Sequence, residues 1–461
     1  MSTRVAFQTL GCRVNQADTI ALEDEVRSRD GQLVHHKDVA DIYVVNTCTV
    51  THGADADARK MVRRAKRLNP DAQVVVTGCY AQVAPEALMA LPEVDLVVGN
   101  EGKQTLIDKL MPRTAPAPEA EAEVGAQQRG LRLSPRRMDR LWPSRVRKGK
   151  AHITALPETR TRPFIKVQDG CDYSCAFCII PQARGISRSF SLEYVQRQLS
   201  NYAALGAREV VLTGIHLGHW GKDLTPRVAF DEMLSRLLEG LDPRIARLRL
   251  GSVEPNEVTP RLIALLRDHP TLCPHLHVPL QSADNEVLRR MRRLYTVEQY
   301  EQVILSLRQA LPTGAIGADV MVGHPGETDQ HFERGLRVID GLPWTYLHVF
   351  PFSPRRGTAS STMDDQVHPS VKTERMRALI RRSDVRRHLH YRSQVGLERQ
   401  WLVLQSKQQG YKVLSDNYVP GVVYCPADKL HPGDLFNAKV SVATSSGAEV
   451  QLGSSEVSGY E

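Results

Sequence analysis

The sequence predicts an α/β chain in three parts: an N-terminal parallel α/β domain over residues 1–111, a partial six-stranded parallel barrel over 163–395 and a small C-terminal β-barrel over 396–461. Three observations predict this. Short apolar runs alternate with helix-length stretches through most of the chain, the rhythm of a parallel sheet with helices between its strands. The stretch at 112–162 breaks that rhythm, first with Pro, Ala and Glu, then with a basic run, and reads as a linker. Beyond Gly396, five short β-rich runs separated by Gly, Pro, Asn and Asp replace it.

At 461 residues, 41% hydrophobic and 24% charged, the chain has material for two or three globular domains. No run approaches the roughly eighteen apolar residues of a membrane span, and the first residues lack the layout of a signal peptide, so a cytoplasmic protein without membrane attachment is expected. Eight cysteines in a chain of this size do not make a disulfide framework, and six of them fall in two groups of three. The net charge of +8 favours a polyanionic partner, nucleic acid above all.

Taken in order, residues 4–10 read as a strand running into Gly11-Cys12-Arg13-Val14-Asn15, with a helix after it. A second strand, 42–47, delivers Cys48, and a third, 74–78, delivers Cys79. Each cysteine stands just past the carboxyl end of a buried-looking strand, where parallel sheets collect ligands. Any one alone reads as a core cysteine; the repetition points to a metal cluster with three thiolate ligands. The segment from Asp55 to Arg67 reads as a helix with acidic residues first and basic ones later, an order that the helix dipole explains and that usually marks a solvated face. Between Arg129 and Lys150 nine basic residues face one acid, Asp139, a composition of flexible surface or of an arm that orders on RNA.

The loop from Val167 to Arg188 holds the second group, Cys171, Cys175 and Cys178, spaced C-x3-C-x2-C. Three thiolates on one loop suit an iron–sulfur cube and leave one iron without a protein ligand. In enzymes that use S-adenosylmethionine for radical chemistry, that iron holds the cofactor. A zinc site borrowing His216 or His219 is the alternative, although zinc loops favour paired C-x2-C knuckles.

After this loop, strands are expected at 209–213, 247–250, 275–278, 316–322 and 346–350, with helices around 231–240, 258–268, 284–291, 297–311 and 329–340. With the strand before Cys171 they make six, a partial barrel whose reactive groups come from loops at the strands' carboxyl ends. Thr213, Gly214, Glu254, Gln281, Gly323 and Glu327 lie on those loops and are the candidates for cofactor contacts. Each alone could be a turn or a helix cap. A long basic helix from Val371 to Gln394 carries Arg375, Arg377, Arg381, Arg382, Arg386, Arg387 and Arg392. The five-stranded barrel after it has a shape that single-stranded nucleic acid often meets. Helix and barrel are expected to serve RNA and not to complete the catalytic barrel.

Thr9-Leu-Gly-Cys12-Arg-Val-Asn15-Gln, Asn46-Thr-Cys48-Thr-Val-Thr, Thr77-Gly-Cys79-Tyr-Ala-Gln and the Cys171/Cys175/Cys178 loop together resemble the radical S-adenosylmethionine methylthiotransferases, over nearly the whole chain. The resemblance implies an N-terminal methylthiotransferase domain, a radical S-adenosylmethionine (β/α)6 barrel, a C-terminal OB-like TRAM barrel, two [4Fe–4S] clusters and S-adenosylmethionine. It implies that Cys171, Cys175 and Cys178 hold the radical-generating cluster and that Cys12, Cys48 and Cys79 hold an auxiliary one presenting sulfur. The wording is most similar to the subgroup that adds a methylthio group at C2 of N6-threonylcarbamoyladenosine beside the tRNA anticodon. The implied partners are the tRNA anticodon stem-loop and an electron donor such as flavodoxin or ferredoxin. Relatives acting on isopentenyladenosine in tRNA or on a ribosomal-protein aspartate are the alternatives, followed by an RNA-binding iron–sulfur protein without this chemistry. Two stretches depart from the family pattern: His324 stands where Phe is usual, and 112–162 is long.

Overall fold

The computed structural model describes residues 2–112, 161–426 and 429–452. Most of the linker, with the basic run from Arg129 to Lys150, lies outside them. The chain forms two compact units. The first comprises residues 2–112 with Gly170–Asp172 and Ile180–Arg188, and the second comprises 161–169, 173–179 and the described residues from Ser189 onward.

In the first unit, β1 (Arg4–Thr9), β2 (Gln32–Val34), β3 (Ile42–Thr47), β4 (Gln73–Gly78) and β5 (Leu96–Val98) form one parallel sheet in the order β2-β1-β3-β4-β5. Alternate residues of β3 and β4 feed two cores: Tyr43, Val45, Val74 and Val76 pack with Ala58, Val62 and Ala65, while Ile42, Val44 and Val75 pack with Leu22 and Val26. Burial on both faces is why these strands read as continuous apolar runs. The helices Arg13–Arg27 and His52–Leu68 supply those outer layers, and Thr51 caps the second by accepting from the Ala54 N–H at 3.2 Å. The strand order reverses between β1 and β3, the place in open α/β sheets where ligands bind outside the carboxyl ends.

In the second unit, six parallel strands follow one another: β6 (Phe164–Lys166), β9 (Glu209–Thr213), β10 (Arg247–Leu250), β11 (His275–His277), β12 (Ala315–Val322) and β13 (Tyr346–Pro351). Two three-stranded sheets are joined by the parallel bridges Leu248 to Leu272 and Ser252 to His277, so the six run in chain order. Two-residue strands, β7 (Gln168–Asp169) and β8 (Arg188–Ser189), flank the second cysteine loop in sequence. The strands and helices expected between residues 209 and 350 are present, with ends displaced by no more than two residues.

Five antiparallel or mixed strands, β14 (Glu398–Lys407), β15 (Gly410–Ser415), β16 (Pro420–Val423), β17 (Leu435–Thr444) and β18 (Gly447–Gln451), close into a barrel around Trp401, Val403, Tyr411 and Val413. Register shifts between Val403 and Gln405 and between Val440 and Val442 give the bends that closure needs. This barrel packs on the amino ends of the six parallel strands. Arg247 Nη1 donates to the Gln400 carbonyl at 3.2 Å, Arg249 Nη2 to the Ser415 carbonyl at 3.2 Å, and the Tyr418 ring stacks on His275 at 4.3 Å. Both guanidiniums are buried and are neutralised by Glu209, at 2.7 and 2.8 Å. The tail is therefore joined to the six-stranded domain, because buried charge at the strand ends needs its backbone carbonyls.

The helix Pro369–Ser393, expected to serve RNA, engages part of its basic set within the fold. Its arginines do not all face outward: Arg375 is buried between Glu327 at 2.6 Å and Asp329 at 2.7 Å, and Arg382 pairs with Asp340 at 2.8 Å. Arg386 lies over the Trp344 ring and bonds the Asp340 carbonyl at 2.5 Å. Arg377, Arg381 and Arg392 are the exposed ones.

Candidate active site

In the first unit the strand ends bring Cys12, Cys48 and Cys79 together. Cys12 is the N-cap of the helix Arg13–Arg27, Cys48 directly follows β3, and Cys79 opens the short helix Cys79–Val83 directly after β4. Cys12 is exposed, and the other two are buried. The approach is close enough to require glycine. Gly11 has φ +92°, and a Cβ there would lie 2.6 Å from Cys48 Cβ and 2.8 Å from its Sγ. At Gly78, φ +98°, a Cβ would lie 2.6 Å from Asn46 Oδ1. Burial pushes the Cys48 thiol up to about 11, and the Cys79 and Cys12 sulfurs nearby add to the rise. A thiol in that state is inert until a cation replaces its proton, and thiolate-loving iron is such a cation. The donor set therefore fits a three-ligand iron–sulfur site.

A buried polar network supports this triad. Asn15 Nδ2 donates to the carbonyls of Leu10 at 2.8 Å and Thr47 at 2.9 Å, tying the Cys12 and Cys48 turns together. Asn46 Nδ2 donates to the Asn15 carbonyl at 2.8 Å, and Lys103 Nζ reaches Asp18 at 3.0 Å and Asn46 Oδ1 at 3.2 Å. Arg184, 1% exposed, bonds Asn15 and pairs with Asp18 at 3.1 Å. Asn100 Nδ2 sits 3.7 Å from Cys79 Sγ and donates to the Ala183 carbonyl at 2.7 Å. Sequence reading assigned no role to Asp18, Asn100 or Lys103. Asn100 follows β5 by two residues, the strand-end placement that singled out the cysteines, but β5 itself was not expected.

On the second loop, Cys171, Cys175 and Cys178 are half-buried. The Cys171 N–H donates to the Gly185 carbonyl at 3.0 Å, and the Cys178 N–H closes a tight turn on the Cys175 carbonyl at 3.1 Å. Arg293 Nη1 donates to Cys175 Sγ at 3.2 Å. Burial raises the Cys175 thiol, and Arg293 opposes the rise. Arg293 also pairs with Glu254, whose carboxyl is raised by burial against that same cation. The Ala176 backbone is pinned on both sides, its N–H to the Met291 carbonyl at 3.0 Å and its carbonyl to the Ser360 N–H at 2.8 Å. Arg293, in contact with Cys175, is a residue the sequence did not flag; only its place in a basic turn after a helix hinted at it.

The other candidates lie at the carboxyl ends of the six strands. Thr213 is the buried last residue of β9, and Gly214 follows against Gln168, whose Oε1 would be 3.0 Å from a Cβ there. Gln281 is strained, with φ +62°, and its buried Oε1 has no hydrogen-bond partner among the described residues. An unsatisfied buried acceptor at a strand end is what a bound ligand would complete. Gly323, φ +72°, donates its N–H to Glu327 Oε1 at 3.1 Å, and Glu327 is in turn held by Arg375. Glu327 thus braces the turn from within. His324 is fully buried, its Nδ1 donating to the Pro325 carbonyl at 3.0 Å and its Nε2 lying 2.8 Å from Ser360 Oγ. Burial lowers its pKa to about 4, so it stays neutral and fills, edge-on at 5.5 Å, the space beside Phe352. His216 and His219 do not join the cysteines as zinc ligands; they stack at 3.6 Å and share Glu257, which Lys222 also reaches at 3.3 Å.

A six-stranded parallel barrel with a three-cysteine loop after its first strand defines a protein of the radical S-adenosylmethionine class, and the profile of the Radical SAM superfamily matches residues 165–339. The profile of an uncharacterized protein family, UPF0004, matches residues 4–99. Among solved structures the chain is similar to the radical S-adenosylmethionine methyltransferase TsrM from Kitasatospora setae with cobalamin and [4Fe-4S] cluster bound, at TM-score 0.51 and 19% identity over 76% of this chain and 75% of that one, a likeness of fold. It is 39% identical to the threonylcarbamoyladenosine tRNA methylthiotransferase MtaB of Bacillus subtilis over 82% of this chain and 80% of that protein. To the protein of the same name from Aquifex aeolicus it is 37% identical, over 90% and 95%. The chain belongs to the MtaB family of methylthiotransferases. Membership implies S-adenosylmethionine and [4Fe–4S] clusters as cofactors, and both cysteine sets have the donor chemistry for such clusters.

Proposed function

We propose that this chain inserts a methylthio group at C2 of N6-threonylcarbamoyladenosine beside the anticodon of tRNA. The observation that carries the reading is the convergence of Cys12, Cys48 and Cys79 at the carboxyl edge of a parallel sheet, a second three-thiol set in addition to the one a radical S-adenosylmethionine enzyme requires. A three-ligand cluster on Cys171, Cys175 and Cys178 would supply the electron that cleaves S-adenosylmethionine, and one on the other triad would offer an open iron for sulfur. Arg293 would neutralise thiolate charge at Cys175, while Gln281 and the Gly323 turn would hold the cofactor. Residues 396–461 and the exposed arginines of the preceding helix would hold the RNA, in a cytoplasmic protein reduced by a flavodoxin or ferredoxin.

Mass spectrometry of tRNA nucleosides from cells with and without the protein tests this. Loss of the 2-methylthio derivative of threonylcarbamoyladenosine, with accumulation of the unthiolated nucleoside, is expected. Complementation with Cys12, Cys48 and Cys79 changed to Ala should leave that defect uncorrected. Loss of a methylthio group from isopentenyladenosine instead would move the assignment to the sister substrate, and no nucleoside change would overturn the RNA reading.

A further inference from the structure

Strands β11, β12 and β13 carry a polar cluster that neither cysteine group uses. His277 pairs in register with Gly317, two residues before Asp319, and Asp319 pairs with His348. Because side chains alternate along strands, all three project from one face. His277 Nε2 lies 3.3 Å and His348 Nδ1 3.4 Å from the same oxygen, Asp319 Oδ1, and the three potential ligand atoms lie within 4.8 Å of one another.

These separations suit ligands of one ion better than partners in a hydrogen bond. Hydrogen bonds from imidazole N–H to oxygen span roughly 2.7–3.2 Å. Two ligand atoms each about 2.0–2.1 Å from a metal, at tetrahedral angles, stand about 3.3–3.4 Å apart. His277 is only 7% exposed, yet its Nε2 has no hydrogen-bond partner among the described residues. Its other nitrogen, Nδ1, is 2.8 Å from Ser252 Oγ. When that nitrogen donates its proton to Ser252, the Nε2 lone pair is turned toward a carboxylate, an arrangement that is repulsive unless a cation lies between them. A hydrogen-bonded outer partner that fixes the ring in this way is the usual companion of a metal-binding histidine. The His216, His219 and Glu257 cluster differs, since His216 Nε2 is at hydrogen-bonding distance from Glu257, 2.9 Å, and Lys222 also neutralises that carboxylate.

We propose that His277, Asp319 and His348 bind a divalent transition-metal ion of the zinc and iron(II) class, with Ser252 orienting His277. Two imidazoles and one carboxylate are a donor set for those ions and leave coordination positions open. His348, with 59% of its side chain accessible, leaves the site reachable from solvent. This inference stands independently of the transferase reading.

Metal content tests it. Full-length protein is reconstituted anaerobically with iron and sulfide so that its cysteines are occupied, equilibrated with Zn²⁺, desalted and assayed for zinc and iron. About one zinc per chain is expected in the wild type, on the stoichiometry of a three-ligand site. Asp319→Asn and His348→Ala should retain at least tenfold less zinc with iron unchanged, and Ser252→Ala should weaken zinc affinity about 10–100-fold, the usual cost of losing an outer-shell partner. His348 is an exposed side chain, so its replacement preserves packing and decides the matter even where Asp319→Asn folds poorly. A wild type that retains no zinc, or equal zinc in wild type and His348→Ala, would overturn the proposal.

Discussion

Gly11 and Gly206 share a left-handed backbone, φ +92° and +85°, but only Gly11 has a neighbour that a methyl group would strike. Nothing lies within 4 Å of a Cβ at Gly206. Gly206→Ala should therefore cost only the backbone penalty, about 1–2 kcal/mol, and leave reconstituted iron unchanged. Gly11→Ala should lower iron by about half, the share of one four-iron cluster in two, because Cys48 is displaced. Full iron in Gly11→Ala would mean that the close approach of Gly11 to Cys48 does not decide whether the N-terminal triad holds a cluster. Glu209 makes the electrostatic counterpart. Burial works to raise its pKa, but Arg249 and Arg247 outweigh it and bring it from 4.5 down to about 2. A depressed carboxyl contributes stability that is complete above the unfolded-state value and fades as pH falls from 4.5 through about 2. Urea midpoints at pH 5 and pH 3 should differ more in the wild type than in Glu209→Gln, and Glu209→Ala should cost about 3–5 kcal/mol at neutral pH by stranding two buried guanidiniums.

The helix Pro369–Ser393 divides its arginines by direction. Replacing Arg377, Arg381 and Arg392 with Ala should weaken tRNA binding and flatten its dependence on log salt by roughly two to three, at about 0.7–0.9 for each phosphate no longer neutralised. Arg375→Ala should instead loosen the Glu327 turn. An unchanged slope in the triple variant would shift the RNA contact to the basic run from Arg129 to Lys150. That division was not legible in the sequence, since it depends on Glu327, Asp329 and Asp340 arriving from other elements. The strands of the six-stranded domain were legible because short runs rich in Val, Ile, Leu and aromatic residues recur between helix-length stretches, even where Arg or His alternates with Leu, as in β10 and β11. β2 and β5 were not: each is three residues at a sheet edge, with at most one fully buried side chain. Missing β5 hid Asn100 and Lys103. The cysteines announced themselves by spacing, whereas Asp18 and Arg184, 166 positions apart, meet only in the fold.

Across the second unit, the C-terminal barrel and the six-stranded domain share a buried charge network, and this sets the outcome of truncation. Ending the chain before Gly396 removes the carbonyls of Gln400, Leu414 and Ser415 from Arg247 and Arg249. It also removes the Tyr418 ring that lies 5.2 Å from the Arg249 guanidinium. Such a truncated protein should melt at lower temperature and lose cofactor cleavage together with RNA binding, measured by calorimetry and by release of 5′-deoxyadenosine. Unaltered melting and cleavage would show the two parts to be energetically separate. Tyr418 has a further consequence. Stacked on His275 and 5.9 Å from the Tyr346 ring, it covers the first residues of β11 and β13, so the joint between the two barrels is aromatic as well as charged.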